Sequence, residues 1–330
     1  MLQKKYIFIC LLILSTFILL PTGGIAVQEP MTSSAHSGGS KSELTLGQAA
    51  ILGIVEGVTE YLPVSSTGHL LLAERILSIG ADPETSVAQQ ERTKEALDAY
   101  TICIQIGAII AVLGLYFRRI RQMIRGLVGK DTEGRQLLIS VIAGFLPAAV
   151  IGLLFNKLIK SYLFGTWPVI IAWFVGGVAI LVVSRWNRNR GNRSADSGRS
   201  ILELTWQMAL IIGFAQCIAM WPGVSRSLAT IVGGLLVGLS LSAAVEFSFL
   251  LGLITLGAAT AYDALKHGQV MLQTFDATSL AVGVVFAFVA ALLSVKWMVG
   301  YLNRHGLAIF GYYRVVLALV AGSLLMTGVL

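Results

Sequence analysis

Glu56-Gly57-Val58-Thr59-Glu60-Tyr61-Leu62-Pro63-Val64-Ser65-Ser66-Thr67-Gly68-His69 interrupts an apolar region that runs from about residue 46 to 79. Without it, that region reads as one membrane span. With it, Pro63 stops a helix and a second helix starts after the run Ser65-Ser66-Thr67, because proline breaks the hydrogen-bond ladder and restricts the residue before it. Ionisable groups at membrane depth are costly, so they mark a functional site. A second interruption lies far downstream, at Trp221-Pro222-Gly223-Val224-Ser225-Arg226-Ser227-Leu228-Ala229-Thr230, inside the apolar region 205–240. One island offers carboxylates, hydroxyls and a histidine and the other a guanidinium, the residue types of a phosphate-handling site inside a membrane.

The composition agrees with that setting. Of 330 residues 56% are hydrophobic and 12% charged, whereas a soluble domain carries about 25% charge. Apolar runs fall at about 100–117, 137–155, 168–184, 244–262, 279–297 and 308–328, each near the roughly 17–25 residues that cross a bilayer as a helix. The runs are continuous rather than alternating, which argues against a transmembrane β-barrel. The net charge of +7 does not indicate nucleic acid; the basic residues concentrate in two loops, Arg118 to Arg135 and Arg185 to Arg199, which the positive-inside rule makes cytoplasmic. Cys10, Cys103 and Cys217 lie in apolar runs without metal-ligand spacing and read as packing residues. Residues 1–26, with Lys4 and Lys5 before an apolar run and small residues after it, resemble a signal peptide or an uncleaved signal anchor. A Ser- and Gly-rich tether follows over residues 27–45.

Charge also orders the crossings. The loops Asp82–Asp98, Asn156–Trp167 and Asp263–Ser279 are acidic or poor in basic residues and face outward. Counting spans between loops of known side makes region 46–79 enter and leave from outside, and region 205–240 enter and leave from the cytoplasm. Each is expected to be a re-entrant hairpin, since irregular backbone at membrane depth survives where it is buried or lines a cavity. Ala50 to Glu56 matches Leu210 to Gln216, and Tyr61 to Ser65 matches Trp221 to Ser225 after one residue of offset. The expected fold is an all-α polytopic integral membrane protein, a single domain over 46–330 built from two inverted-topology repeats (about 46–184 and 205–330). Each repeat is a re-entrant helical hairpin plus three transmembrane helices, and broken helices in such folds meet at a binding site near the midplane.

Glu56 and Glu60, four apart, share a helix face. They suit a hard divalent cation, Mg²⁺ or Ca²⁺, or a division of acid and base roles. Ser65, Ser66, Thr67 and Gly68 precede or open a helix whose free N–H groups cradle phosphate; one hydroxyl there is also an ordinary cap. His69 is a candidate acid, base or nucleophile. Arg226 suits bidentate grip on phosphate, or else an ion pair with Glu56 or Glu60. Ser225, Ser227 and Thr230 add donors beside it. Gln216 stands at the repeat position of Glu56 and Met220 at that of Glu60, so the second hairpin is expected to bind rather than move protons. Glu246, near a span start, reads as a complement to the helix dipole. His267 and His305 fall in expected loops, and no Walker, dinucleotide or zinc pattern occurs.

Over residues 46–330 the chain resembles the undecaprenyl-diphosphate phosphatase family of the bacitracin-resistance type. The resemblance rests on EGVTEYLPVSSTGH at Glu56–His69 and PGVSRSLAT at Pro222–Thr230, with support from Ile104 to Gly107 and Glu246 to Leu251. It implies a glutamate-rich motif at Glu56 and Glu60, a serine-histidine motif at Ser65, Ser66, Thr67 and His69, and a phosphate-binding motif at Ser225, Arg226 and Thr230. It further implies hydrolysis of undecaprenyl diphosphate, recycling of the cell-wall lipid carrier, a divalent metal and reduced bacitracin sensitivity. The setting implied is a bacterial cytoplasmic (inner) membrane with the site open to the outer, periplasmic side. Expected partners are the polyprenyl diphosphate and the bilayer, with no nucleic acid; the oligomeric state is left open between monomer and homodimer. Two alternatives stay open here: Ser66 or His69 as nucleophile against direct attack by water, and a prenyl-phosphate transporter or flippase using the same residues.

Overall fold

A computed structural model describes residues 44–79, 87–163, 165–189 and 196–328. The signal-like segment 1–26, and all of the tether except residues 44 and 45, lie outside the described residues. The described chain is helical. The helices are α1 (Leu46–Thr59), α2 (Ser66–Ile76), α3 (Val87–Leu115), α4 (Phe117–Leu127), α5 (Thr132–Leu163), α6 (Thr166–Asn189), α7 (Trp206–Cys217), α8 (Arg226–Leu236), α9 (Leu241–Thr274), α10 (Ala277–His305) and α11 (Ala308–Met326). Six of them, α3, α5, α6, α9, α10 and α11, are long and apolar enough to cross a bilayer, and the chain is a multi-pass helical membrane protein. Large apolar side chains such as Val182, Leu293 and Leu319 are exposed on their outer faces. In water such a surface would drive association; in hydrocarbon it meets lipid.

The two polar interruptions each separate a pair of short helices, α1 from α2 and α7 from α8. Thr45 caps α1 through Gln48, whose side chain returns a bond to the Thr45 backbone. Proline follows the first helix in both pairs: Pro63 lies in the turn after α1, and Pro222 comes after a 3-10 turn at Ile218–Met220, with Trp221 extended before it. The residue that opens the second helix also behaves alike. Ser65 and Ser225 have φ of 75° and 77°, a region that costs a non-glycine residue of order 1–3 kcal/mol. The packing corresponds too, with α1 lying along α10 and α7 along α5. Glycine permits both contacts: Gly53 faces the backbone of Gly283, and Gly213 that of Gly144, so closely that a Cβ at either site would strike a carbonyl. Helices in lipid gain cohesion from such close backbone approach.

The expected spans and breaks are present, but the loops between them are shorter than expected. Helix α3 begins at Val87, inside the expected loop Asp82–Asp98; α5 runs to Leu163; α9 runs to Thr274; and His305 ends α10. Hydropathy marks the part of a helix that sits in hydrocarbon, whereas Gln, Glu, Lys and Ala in the polar extension are good helix formers. The basic loop Arg118–Arg135 likewise holds α4, an amphipathic helix that exposes Arg118, Arg121 and Arg125 and buries Met123. Arg119 docks it by pairing with Glu246 of α9 at 2.7 Å, so Glu246 serves an ion pair rather than a helix end alone.

The close approaches predict opposite signs for one kind of substitution. Gly53→Ala and Gly213→Ala should each destabilise the protein by about 1–3 kcal/mol, as overpacking does. Gly47→Ala, where an added Cβ meets nothing within 4 Å, should raise stability slightly by restricting the unfolded chain. Thermal unfolding of the three variants in detergent checks this.

Candidate active site

The two breaks meet. Ser227 donates its hydroxyl hydrogen to Leu62 O at 2.9 Å, and Ser225 donates to Ser227 at 2.9 Å while accepting from the Leu228 N–H. Across this seam Arg226 Nη2 bonds Glu60 Oε1 at 3.1 Å, both side chains being nearly out of solvent. The other carboxylate oxygen of Glu60 accepts from the Ser66 hydroxyl. Arg226 Nη1 donates to Ser248 O at 3.0 Å, and its guanidinium lies over the Tyr61 ring at 5.1 Å, a favourable cation–π placement. Ser66 is the first residue of α2, so its hydroxyl stands at a helix N-terminus, where free N–H groups favour an anion. The chain Arg226–Glu60–Ser66 thus unites residues about 160 positions apart.

A cavity of about 1180 Å³ opens beside this chain. Glu56, Ser66, Thr67, Gly68, Gln216 and Arg226 form its polar end; Phe145, Ala148, Leu153 and Ile170 line an apolar flank; Lys94, Asp98 and Asp263 lie toward its rim. Three buried polar atoms at that end have no partner: Glu56 Oε1, Gln216 Nε2 and Arg226 Nε. Buried polar groups are normally satisfied, and these suit an oxygen-rich, charged ligand. Gln105 of α3 lines the same cavity and accepts from Thr260 at 3.2 Å.

The other expected site residues stand behind this wall. Ser225 and Ser227 build the seam, and Ser65 precedes α2 with its carbonyl against His69. Thr230 is fully buried and bonds Arg226 O at 2.9 Å and Ser248 Oγ at 2.6 Å, so it braces Arg226. His69 is engaged at both nitrogens, with Nδ1 2.6 Å from Ser65 O and Nε2 2.7 Å from the Tyr313 hydroxyl. A carbonyl only accepts, so Nδ1 carries a proton. The His69 ring also stacks on Tyr313 at 5.8 Å and leans on Trp173 at 5.3 Å. Ser66 is therefore bonded to Glu60 rather than to His69. For a metal, no group of three His, Cys, Asp or Glu side chains occurs among the described residues. Both Glu60 oxygens are taken, while Glu56 Oε1 is free. The donor set fits a hard cation held by Glu56 with phosphate and water oxygens, the manner in which Mg²⁺ is commonly bound, and not an all-protein cage.

Sequence reasoning did not reach Tyr313, Arg314 or a role for Gln105. For Arg314 a signal existed: it is a lone cation in an apolar span, the same mark that singles out Arg226.

Comparison with known proteins places this architecture. The family model described as bacitracin resistance protein BacA matches residues 49–320. Among similar proteins, the undecaprenyl-diphosphatase of Sorangium cellulosum is 45% identical over 82% of this chain and 83% of its own length. Undecaprenyl-diphosphatase 2 of Rhodospirillum rubrum is 44% identical over 83% and 92%, and the undecaprenyl-diphosphatase of Bradyrhizobium diazoefficiens 43% over 82% and 93%. A helical membrane protein whose two broken helix pairs join a carboxylate, a serine and an arginine, the chain belongs to the bacitracin resistance protein BacA family.

The buried pair makes a stability prediction. Arg226→Ala leaves Glu60 without its cation and should lower stability by about 3–5 kcal/mol. Adding Glu60→Gln should restore a large part of that loss, whereas adding Glu56→Gln should restore little. Thermal melts of the single and double variants decide between the two carboxylates.

Proposed function

We propose that the chain is an undecaprenyl-diphosphate phosphatase. It would hydrolyse the lipid diphosphate to undecaprenyl phosphate and inorganic phosphate, recycle the carrier of cell-wall synthesis and lower sensitivity to bacitracin. The observation that carries this reading is the chain Arg226–Glu60–Ser66 at a helix N-terminus, opening on a cavity with an apolar flank. The shared names of the relatives agree with it.

The geometry favours Ser66 as nucleophile. Its hydroxyl is already bonded to Glu60, so Glu60 takes the proton as Ser66 Oγ attacks the terminal phosphorus. The bond from that phosphorus to the bridging oxygen breaks, and undecaprenyl phosphate leaves with the proton that Glu60 passes to it, which returns Glu60 to the carboxylate form. Water then attacks the phosphoserine; Glu60 accepts its proton and returns one to Ser66 as phosphate departs. Arg226 Nε and the first N–H groups of α2 face the charge that develops on the phosphoryl oxygens. A divalent cation held by Glu56 would neutralise charge on the diphosphate. Gln216, with its free amide nitrogen, is placed to bind an oxygen of the same group. His69, held by Ser65 and Tyr313, orients the break beside Ser66.

We further read the fold as two inverted repeats with re-entrant hairpins, in a bacterial inner membrane with the site reached from the periplasmic side. Supporting this are the matching φ values of Ser65 and Ser225, the paired contacts of α1 with α10 and of α7 with α5, and the basic residues of α4.

Two measurements test these readings. Purified protein should release phosphate from undecaprenyl diphosphate, lose that activity with a chelator, and regain it with Mg²⁺ or Ca²⁺. Glu60→Gln and Ser66→Ala should each reduce kcat by about 10²-fold or more, the scale of general-base contributions, while remaining monodisperse. Absence of turnover on any lipid diphosphate would favour a transporter. For topology, single cysteines in a background lacking the native ones are labelled in intact cells with an impermeant thiol reagent. Lys130→Cys should be protected and Lys266→Cys labelled; labelling of both would break the repeat reading.

A further inference from the structure

Arg314 is the one charged residue of α11, and it is fully buried. A cation inside a span is expensive unless it is partnered or functional. Among the described residues its partners are all main-chain carbonyls. Nη1 reaches Val224 O at 3.0 Å and Pro63 O at 3.3 Å; Nη2 reaches Ala172 O and Gly223 O, each at 2.8 Å; Nε reaches Trp173 O at 3.3 Å. The planar fork thus spends its donors on three segments. Pro63 lies in the first break, two residues before Ser65. Gly223 and Val224 lie in the second, just before Ser225. Ala172 and Trp173 belong to α6. The neighbouring residue Tyr313 holds His69.

We propose that Arg314 is a positioning residue for the phosphate site: one rigid group holds both breaks at the separation that lets Arg226 of the second reach Glu60 and Ser66 of the first. It touches no reacting atom. Glu60 and Arg226 come from chain segments that no continuous helix connects, and each follows or precedes a strained turn. Their separation is therefore set by what clamps the turns. Ser227 ties the seam with one hydrogen bond; Arg314 ties it with three and anchors it to α6. This role rests on the phosphatase reading.

Lysine cannot substitute, because it offers donors from one point and not from a planar fork. Arg314→Lys keeps the charge and leaves several carbonyls unmatched. Gly176→Ala provides a second route: Gly176 of α6 leaves the space that the Arg314 guanidinium fills, and a Cβ there would collide with it. The arginine stays, but its fork is displaced.

Both variants are purified, and phosphate release from undecaprenyl diphosphate is measured well below each variant's own Tm, per folded molecule. The rise in Tm on adding inorganic phosphate is measured in parallel. The expected result is a kcat lower by about tenfold or more, since misplacement by about 1 Å can cost about 10²-fold, with a smaller Tm rise from phosphate than in the unsubstituted protein. A role confined to stability would lower Tm yet leave kcat per folded molecule and the phosphate effect unchanged, and that outcome in both variants overturns the proposal. If Arg314→Lys does not fold, Gly176→Ala decides by the same two readings. If the unsubstituted protein neither releases phosphate nor gains Tm from it, the phosphatase reading itself fails and this proposal falls with it.

Discussion

A helix that stops in a buried interior leaves carbonyl oxygens that the next turn cannot satisfy, and this protein contains two such stops facing one another. Each unmet polar group in hydrocarbon would cost several kcal/mol. Arg314 meets that demand with a guanidinium that reaches carbonyls of both stops and of α6. Arginine suits the position because it stays charged, is less strongly hydrated than lysine, and presents its donors in one plane. Ser227 adds a bond across the seam to Leu62 O, with Ser225 donating to Ser227 behind it. Without these partners the proline breaks would be defects; with them, they are rigid ledges from which Ser66 and Arg226 begin their helices.

The ion pair of Arg226 with Glu60 depends on those ledges. In a low-dielectric interior an ion pair repays its desolvation when the geometry is good and the remaining atoms are hydrogen-bonded. Here Glu60 also accepts from Ser66, and Arg226 also donates to Ser248. The pair is satisfied but not closed, since Arg226 Nε has no partner and Glu56 Oε1 stands free at the same cavity end. In the proposed mechanism, a carboxylate already bonded to a hydroxyl, beside a vacant donor and a vacant acceptor, would supply the electrostatic preorganisation that charge-developing reactions require.

The rest of the fold keeps these parts in place beside an apolar cavity wall. The short helices α1 and α7 press against α10 and α5 through glycine contacts, so the site rests on spanning helices and not on surface loops. The apolar flank from Phe145 to Leu153 on α5 meets Ile170 of α6 along the cavity, the surface on which the prenyl chain of the proposed substrate would lie. The rim residues Lys94, Asp98 and Asp263 come from the polar extensions of α3 and α9, the same extensions that a hydropathy reading assigns to loops.

Much of this was legible in the sequence by itself. Apolar run length gave six spans, proline and hydroxyl clusters gave the two breaks, and isolated charge gave Glu56, Glu60 and Arg226, because each of these signals is local and acts on a few neighbouring residues. The matching breaks also showed that the second hairpin carries Gln216 where the first carries Glu56. Tertiary structure alone decided the rest. It paired Arg226 with Glu60 and not Glu56, bonded Ser66 to Glu60 and His69 to Tyr313, and engaged Thr230, Ser225 and Ser227 in bonds to neighbouring residues. It also made Arg314 the clamp. The pairing of Arg226 with Glu60, of His69 with Tyr313 and of Arg314 with Pro63 depends on which helix faces meet across intervals of 166, 244 and 251 residues, and a hydrogen bond is set by ångström-scale geometry that no spacing along the chain encodes.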